Sequence, residues 1–480
     1  MICISIAQAS RAYTLVDMLN AFPQCEIVEV RLDRFSRTPD LAELMAARRK
    51  PVIMACRRAD EGGDWQGSEA DRLALLRQCV EHKADYVEVE LDVADKVEVT
   101  APTKKIVTYT NVIEPPDNLA SIYAQAVAQK PDVVKLVMPA RTPEEAWPLV
   151  QLLAKPAVPT VVLGLGKSGV MLSILARRVG APWIYAALEH GLEADHALAT
   201  VADLESIYHY RDIGKGTRFV GVTGFGTLAR LRVALLNAAL KDADQPLRCL
   251  PLAVGEIPLF RKVLEAIKIT HVLVDDEHRA IVRPVASEVD PLAQASESID
   301  LLQLKGASWQ GFNVRCLSVM AVLHAKSQLQ TPPDKPFQGL TVVLVGTNSL
   351  AKALATRIKH GGGTILFACD SVEVGEMLAQ AYSCKIIDPN GVAGTAHDCL
   401  ILCDKVDMTG TRLRPKSIVI DMNARILASP FLSYAETQQC RVLMPRDLFM
   451  DEIGREAKLL TGKDPKADHL AQVFDSMVEE

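Results

Sequence analysis

Short apolar runs rich in β-branched residues alternate with amphipathic segments over the first 210 residues of the chain. The amphipathic segments have the 3.6-residue periodicity of helices, and the apolar runs have the length of buried strands. Eight β-α units of this kind predict a parallel barrel, in which chemistry belongs at the carboxyl ends of the strands. The eight runs lie at residues 2–7, 25–33, 51–57, 84–92, 105–111, 132–139, 160–166 and 183–188.

Beyond the barrel, the pattern predicts two further α/β lobes. The polar segment 210–218 is followed by strands near 248–253 and 270–274 and by a helix at 312–326. The proline-rich stretch 331–339 is typical of a hinge, and the apolar run after it opens a doubly wound series of strands. The predicted α/β fold has three parts: a (β/α)8 TIM barrel at 1–212, an α/β substrate lobe at 213–330, and a Rossmann-like lobe at 331–480 with terminal helices that could pack on the middle lobe.

Composition and charge indicate a folded protein that binds small molecules. Apolar residues make up 49% of the 480 positions, which is enough for two or three hydrophobic cores. The 53 basic and 59 acidic residues include no run of like sign, so the chain has no obvious grip on nucleic acid or an anionic membrane. Homo-oligomerisation stays open.

The chain also lacks the sequence signals of a membrane or exported protein. No apolar stretch reaches the roughly 18 to 20 residues that span a bilayer, and the first ten residues do not resemble a signal peptide. The eleven cysteines contain no CxxC pair. We therefore expect a cytoplasmic protein with reduced thiols and without a metal site.

Lys135 is the first candidate for chemistry, because it stands in the middle of the apolar run 132–139. In the cavity of a barrel, apolar walls would disfavour its charged form and lower its pKa from about 10.4 toward neutrality. The freed amine could then form a Schiff base with a ketone. The alternative is a lysine at a strand end that pairs with a carboxylate such as Glu90.

Four more side chains are expected near Lys135. Glu29 and Arg31 alternate along the second strand and so share one face, while Arg57 and Glu61 follow the third strand. Guanidinium groups bind carboxylates through two hydrogen bonds, and glutamates accept hydroxyl protons. The set suits a small, polyhydroxylated ketone that carries a carboxylate. The alternative for each residue is an ordinary buried ion pair.

Several of these motifs resemble known families. VEVRLD (28–33), ACRRADEGG (55–63), YVEVELD (86–92) and DVVKLVMP (132–139) resemble, in order and spacing, the type I 3-dehydroquinate dehydratases. Residues 218–475 resemble shikimate dehydrogenases. The whole chain is thus similar to the fused family of the shikimate pathway, which serves aromatic amino acid biosynthesis. The second resemblance rests on GVTGF (221–225), LLNAAL (235–240), SEVDPLAQAS (287–296), GFN (311–313) and LLTGKDP (459–465).

The first resemblance implies a barrel enzyme that needs no cofactor, with Lys135 as the Schiff-base residue. By the same resemblance, the substrate would be held by Glu29, Arg31, Arg57, Glu61 and Thr200. Two positions depart from the family pattern. Thr110 stands where the family has its proton-transfer histidine, and Ser173 stands where an arginine is expected to hold the substrate carboxylate. Loss of a general base typically costs 10² to 10⁴ in rate.

The second half departs further from its family. Arg230 and Arg232 fall on the serines that bind the substrate carboxylate, Arg279 falls near the catalytic lysine, and Arg315 replaces the catalytic aspartate. Arginine is a poor proton shuttle, so we expect dehydrogenase activity to be absent. The four arginines could instead form an anion site, or they could be solvated charges on a collapsed cleft.

The nucleotide loop is degenerate as well. Gly346 is retained, but Asn348 and Ser349 replace the glycines that let the pyrophosphate and the helix approach. Asp370 stands at a spacing suited to ribose hydroxyls, and the alternative is an ordinary aspartate at a strand end. The sequence thus argues against tight binding of NADP or NAD.

The hypothesis from the sequence is a protein of the fused shikimate-pathway type whose surviving activity is Schiff-base dehydration of 3-dehydroquinate at Lys135. Two alternatives stay open. One is a catalytically inactive pseudoenzyme that binds an anionic metabolite, and the other is a full bifunctional enzyme with relocated catalytic groups.

Overall fold

The computed structural model describes residues 1–192, 198–327 and 331–479. The chain forms two compact units. The first unit contains residues 1–225 and 246–270, and the second contains residues 226–245 and 271–480. The predicted boundary at residue 330 lies outside the described residues.

An eight-stranded parallel sheet forms a nearly closed barrel in the first unit. Its hydrogen-bonded order is β7-β6-β5-β4-β3-β2-β1-β8. The strands are β1 (Ile2–Ile6), β2 (Ile27–Arg31), β3 (Val52–Ala55), β4 (Tyr86–Glu90), β5 (Lys104–Thr110), β6 (Val133–Pro139), β7 (Thr160–Leu165) and β8 (Ile184–Ala186). The helices are α1 (Arg11–Ala21), α2 (Leu41–Ala47), α3 (Glu69–Glu81), α4 (Leu119–Ala128), α5 (Pro143–Ala154), α6 (Gly169–Val179) and α7 (Val201–Ser206).

Local sequence explains where these helices begin. The side chains of Ser10, Asp40, Ser68 and Thr142 each accept a hydrogen bond from a backbone N–H in the first turn of the helix that follows. Such caps satisfy donors that the helix itself leaves unpaired. These four caps therefore fix the first residues of α1, α2, α3 and α5.

The barrel interior has an apolar layer below a polar one. Alternate strand residues face inward, because side chains of a strand point to opposite faces in turn. The parallel register pairs Ser5 with Glu29 and Thr108 with Lys135, so each pair shares the inner face. The apolar layer contains Cys3, Ile27, Ile53, Ile106, Val133, Val137, Val161, Leu163, Trp183 and Tyr185.

The first unit also contains β9 (Arg218–Val222) and β10 (Leu247–Pro251), which pair in parallel, and α9 (Ile257–Ala266). In the second unit, residues 271–273 of β11 (Ile269–Leu273) pair antiparallel with β13, and β13 pairs with β14. The associated elements are α8 (Thr227–Asp242), α10 (Arg279–Val282), β12 (Glu288–Val289), α11 (Pro291–Ser296), β13 (Leu301–Lys305), β14 (Ser308–Phe312) and α12 (Val314–Ser327).

The second unit ends in a parallel six-stranded sheet of order β17-β16-β15-β18-β19-β20. Val342 and Leu344 belong to the core on one face of β15, while Val343 and Val345 belong to the core on the other. The elements are β15 (Thr341–Val345), α13 (Ser349–His360), β16 (Thr364–Ala368), α14 (Val372–Tyr382), β17 (Lys385–Ile387), β18 (Cys399–Leu402), β19 (Ile418–Asp421), α15 (Pro430–Thr437), β20 (Arg441–Val442), α16 (Pro445–Thr461) and α17 (Ala467–Glu479).

The barrel and the doubly wound sheet confirm the predicted α/β fold class. Within the second unit, α16 and α17 both pack against α8. None of the helices in the described ranges combines the length and the apolar composition that a membrane crossing requires.

Candidate active site

Lys135 lies inside the barrel on β6 and has no exposed surface. Its Nζ donates hydrogen bonds of 2.7 Å to Glu29 Oε2 and of 2.7 Å to Glu88 Oε2. The ring of Tyr185 lies below the ammonium group, with its centroid 4.2 Å from Nζ. The expected apolar walls are therefore wrong in one respect, because two strands supply carboxylates that pair with the amine. The alternative partner Glu90 pairs instead with Arg72, at 2.7 Å.

The pKa values of the two glutamates beside Lys135 are shifted in opposite directions. Burial alone would raise the pKa of Glu29, but the charges of Lys135, Arg57 and Arg31 outweigh burial and hold that pKa below its ordinary value. Ser5 and Tyr185 add hydrogen bonds of 2.7 and 2.6 Å to Glu29. For Glu88, burial together with the charge of Glu29 prevails over Lys135 and raises the pKa. Glu29 thus stays ionised, while Glu88 takes up a proton more readily.

The two predicted arginines contact different carboxylates. Arg57 is buried, with guanidinium nitrogens 3.7 Å from Glu29 and 3.8 Å from Glu88. Arg31 is buried too, but its guanidinium donates two hydrogen bonds, of 2.9 and 2.7 Å, to Asp33. Arg57 therefore belongs to the lysine site, whereas Asp33 holds Arg31.

Glu61 lies at the barrel mouth, beside a groove of about 460 Å³ that Arg58, Asp92 and the end of β5 also line. Its Oε2 atom is buried and has no hydrogen-bond partner among the described residues. Burial, reinforced by the charge of Glu90, raises the pKa of Glu61 to about 8. The side chain can therefore carry or release a proton near neutral pH.

Replacement of Glu61 by glutamine is expected to change how stability depends on pH. Because the folded pKa is raised, folding favours protonated Glu61, and this stabilisation is lost as pH rises from about 5 through 8. Glutamine cannot ionise. The free energy of unfolding of Glu61→Gln, relative to the parent protein, should thus rise by about 1–3 kcal/mol between pH 5 and pH 9. Urea unfolding at pH 5, 7 and 9 measures it, with Glu81→Gln as control; an equal difference at each pH would contradict the expectation.

The arginines of the second unit are held by acidic residues. Arg232 is ion-paired with Glu452, at 2.6 Å, and with Glu456. Arg279 and Arg315 both lie 2.8 Å from Asp276. All three arginines are largely buried, so the expectation of solvated surface charges is wrong for them. Arg230, two residues before Arg232 on α8, is half-buried.

Comparison with known proteins assigns the barrel. Residues 2–215 match the model of the type I 3-dehydroquinase family. The 3-dehydroquinate dehydratase of Methanopyrus kandleri is 31% identical over 169 residues, which are 34% of this chain and 78% of that protein. The chain belongs to the type I 3-dehydroquinase family.

The match extends beyond the dehydroquinase barrel. The chloroplastic bifunctional 3-dehydroquinate dehydratase/shikimate dehydrogenase of Arabidopsis thaliana is 26% identical over 381 residues, or 75% of this chain and 63% of that protein. The chain thus spans less than two thirds of this relative. A shikimate dehydrogenase (NADP(+)) of Syntrophobacter fumaroxidans is 23% identical over 248 residues, covering 49% of this chain and 84% of that protein. Together these matches identify the fused arrangement.

The remaining dehydroquinase positions are structural or altered. Thr110 is buried at the end of β5. Thr200 caps α7, where its Oγ1 accepts a 3.0 Å hydrogen bond from the backbone of Asp203. Ser173 is buried within α6, and the nearby Arg178 donates a 2.7 Å hydrogen bond to the carbonyl of Ile267. Arg178 is thus bound to a backbone carbonyl.

The loop that would bind a nucleotide is in contact with a carboxylate side chain of the protein. The Asp404 carboxylate accepts a 2.8 Å hydrogen bond from the backbone N–H of Thr347, and its atoms lie 2.5 Å from where a Cβ on Gly346 would stand. Asn348 caps α13 and donates a 2.7 Å hydrogen bond to Cys403. A pyrophosphate would meet the negative charge of Asp404, so this loop does not fit a dinucleotide. Asp370 is exposed at the end of β16.

Sequence reasoning missed Glu88, Tyr185, Asp33 and Asp276. Glu88 was visible in principle, because it alternates with Glu90 in YVEVELD as Glu29 alternates with Arg31. Asp33 and Asp276 lie only two and three residues from Arg31 and Arg279, so local spacing could have suggested these pairs. Tyr185 had no signal in the sequence, because its contact with Lys135 joins strands far apart in the chain.

Proposed function

We propose that the barrel dehydrates 3-dehydroquinate, a small polyhydroxylated ketone with a carboxylate, through a Schiff base at Lys135. The observation that carries this proposal is a fully buried lysine whose Nζ lies 2.7 Å from each of two carboxylates of different proton affinity. An amine becomes a nucleophile only after it loses a proton, and a nearby acceptor provides for that loss. Membership of the dehydroquinase family supports the same reaction.

Glu88 is the group best suited to move protons in this reaction, because burial raises its pKa and Lys135 Nζ lies 2.7 Å away. It takes the ammonium proton of Lys135, and the amine then adds to the ketone carbon. Glu88 returns the proton to the resulting hydroxyl, which leaves as water, and an iminium remains. The negative charge of Glu29 stabilises that iminium, just as it now pairs with the ammonium.

The elimination step then needs a base and an acid. In the family pattern a histidine removes the C2 proton, and Thr110 cannot do so near neutral pH. Glu88, again a carboxylate, removes the C2 proton and delivers it to the hydroxyl that leaves from the β position. Addition of water to the iminium releases the product and the lysine. Arg57, within 4 Å of both glutamates, balances their charge throughout.

We propose that the shikimate dehydrogenase-like half does not transfer hydride. Arg279 and Arg315 are bound to Asp276 and cannot shuttle protons, and Asp404 occupies the backbone donor of the nucleotide loop. The dehydration itself uses no cofactor. The eleven cysteines are thiols rather than disulfides, which supports a reducing compartment such as the cytoplasm.

A second candidate function is the binding of an anionic metabolite without turnover. The specific observation in its favour is Thr110, a group without useful basicity, at the end of β5. In this case Lys135 would serve only as a charged binding group.

Trapping with sodium borohydride separates the two candidates. The protein is incubated with 3-dehydroquinate and the reductant, and peptide mass mapping then locates any added ligand. We expect the reduced adduct on Lys135 and not on Lys105 of the neighbouring strand. An unmodified Lys135 under conditions that label a known type I dehydroquinase would exclude the Schiff base. NADP+-dependent oxidation of shikimate, measured alongside, would contradict an inactive dehydrogenase half.

A further inference from the structure

Tyr185 contacts both members of the ion pair between Lys135 and Glu29. It lies on β8 and is only 2% exposed. Its hydroxyl donates a 2.6 Å hydrogen bond to Glu29 Oε2, the same oxygen that accepts a 2.7 Å hydrogen bond from Lys135 Nζ. The centroid of its ring is 4.2 Å from Nζ. One side chain thus contacts the carboxylate through its hydroxyl and the amine through its ring.

The cations of the site do little to distinguish the two glutamates beside Lys135. Nζ lies 2.7 Å from Glu29 and 2.7 Å from Glu88. The Arg57 guanidinium is almost equidistant as well, with nitrogens 3.7 Å from Glu29 and 3.8 Å from Glu88. Arg31 lowers the pKa of Glu29, but its guanidinium is already bound to a carboxylate two residues away. The opposite pKa shifts of the two glutamates therefore need a further cause.

Hydroxyl donors distinguish the two carboxylates. Glu29 accepts a 2.7 Å hydrogen bond from Ser5 at Oε1 and the bond from Tyr185 at Oε2. Glu88 accepts from Lys135 at Oε2, and its other oxygen has no hydrogen-bond partner among the described residues. Hydrogen bonds made to the ionised form of a carboxylate favour that form. Glu29 is therefore the fixed anion, whereas Glu88 has an oxygen that can take a proton.

Proton transfer from Lys135 to Glu29 would weaken the hydrogen bond from Tyr185. A bond to an ionised carboxylate is roughly twice as strong as a bond between neutral groups, so part of it is lost when the carboxylate becomes an acid. Burial, followed by the charge of Glu29, raises the pKa of Tyr185 well above its ordinary value, so the hydroxyl stays a donor. Transfer to Glu88 does not carry this cost.

The remaining titratable group near Glu29 does not alter this assignment. Burial raises the pKa of Cys3, on β1, well above its ordinary value, so Cys3 stays a neutral thiol. Within the described residues, the charged and titratable side chains that act on Glu29 are those of Cys3, Arg31, Arg57, Glu88, Lys135 and Tyr185.

We propose that Tyr185 is a positioning residue that directs the lysine proton to Glu88: its hydroxyl keeps Glu29 as the permanent counter-ion, and its ring stabilises the cationic forms of the amine. This inference rests on the Schiff-base function proposed above and leaves its covalent steps unchanged. It concerns which carboxylate carries the proton. The ring faces first the ammonium and then the iminium, and both are cations that an aromatic face attracts.

Tyr185→Phe keeps the ring and removes the hydroxyl. We expect kcat for dehydration to fall about tenfold, because the proton now divides between Glu29 and Glu88, while KM changes by less than about twofold. The acidic limb of the kcat–pH profile should move to higher pH, since Glu29 gains proton affinity. Tyr123→Phe is the matched control: it removes a hydroxyl that is hydrogen-bonded to Thr160 Oγ1 at 2.9 Å, outside the lysine site, and should change neither kcat nor the profile.

Tyr185→Leu removes the ring together with the hydroxyl. It should show the same shift of the acidic limb as Tyr185→Phe, and it takes the place of that variant if Tyr185→Phe fails to fold. The yield of borohydride-reduced adduct on Lys135 should in addition be about tenfold lower than in Tyr185→Phe, because the iminium has lost the aromatic face.

The outcomes separate this proposal from the proposed function. If the parent protein forms no adduct on Lys135, the Schiff-base function fails, and the role of Tyr185 fails with it. If the parent forms the adduct but the folded Tyr185 variants keep the pH profile of Tyr123→Phe, only the role of Tyr185 is overturned, because its hydroxyl would then contribute to stability alone.

Discussion

Lys135→Met is expected to abolish borohydride trapping and to lower dehydration of 3-dehydroquinate by roughly 10³-fold or more, as loss of a covalent nucleophile does in other enzymes. It should also lower the free energy of unfolding by about 3–5 kcal/mol, because removal of one partner leaves a buried charge uncompensated. The ammonium is shared by Glu29 and Glu88, and both glutamates have almost no contact with solvent. Denaturant unfolding and a turnover assay measure the two effects.

A second substitution separates the loss of chemistry from the loss of stability. In Lys135→Met with Glu88→Gln, one negative charge leaves with the positive one, and Arg57 can balance Glu29, 3.7 Å away. Stability should recover by about 1–3 kcal/mol, while trapping and turnover stay absent. Lys104→Met, at the exposed start of β5, is the control for a lysine outside the barrel. Turnover in the double variant would show that Lys135 is not the nucleophile.

Arg232→Met is expected to destabilise the second unit by about 3–5 kcal/mol. Its guanidinium donates to Glu452 and Glu456, and the loss would leave both glutamates buried on α16 without their main cation. Burial opposes ionisation of Glu452, and the charges of Arg232 and Arg315 keep its pKa below the ordinary value. Without Arg232 that balance is lost.

The control for Arg232→Met is Arg455→Met, a substitution on α16. Arg455 pairs with Asp451 one helical turn away, and both side chains are about one-third exposed. Such pairs contribute about 0.3–0.5 kcal/mol. The two variants should therefore differ by several kcal/mol in the free energy of unfolding that each loses, as measured by thermal and urea unfolding. Equal losses would mean that the buried network adds nothing beyond a surface pair.

The sequence predicts the fold well because periodicity reports burial directly. Seven of the eight barrel strands fall within the apolar runs, and β5 begins one residue before its run. Ser10 and Ser68, whose side chains favour caps, begin α1 and α3. The doubly wound sheet follows from the same signal, since β15 is buried on both faces and reads as the continuous run TVVLV. Such features depend on residues close together in the chain.

The site is predicted less completely, because its contacts join residues far apart in the chain. The motifs single out Lys135 and Glu29, yet the 2.7 Å contact of Lys135 with Glu88 links positions 47 apart. For Arg31, by contrast, the contact that was missed is close in the chain. Its predicted role as a carboxylate binder stays a proposal, because Asp33, two residues later, holds its guanidinium. Periodicity gives the face of a side chain, but not the partner that it meets there.

The ion-pair network of the second unit restricts how this chain can change. A guanidinium at 232 and the acids at 452 and 456 are stable only together, and the same is true of Arg279 and Arg315 with Asp276. Replacement of one arginine by a serine, lysine or aspartate would leave a carboxylate without its cation or add a like charge beside it. Mutagenesis at these positions therefore requires several simultaneous substitutions, because each single substitution gives a less stable protein.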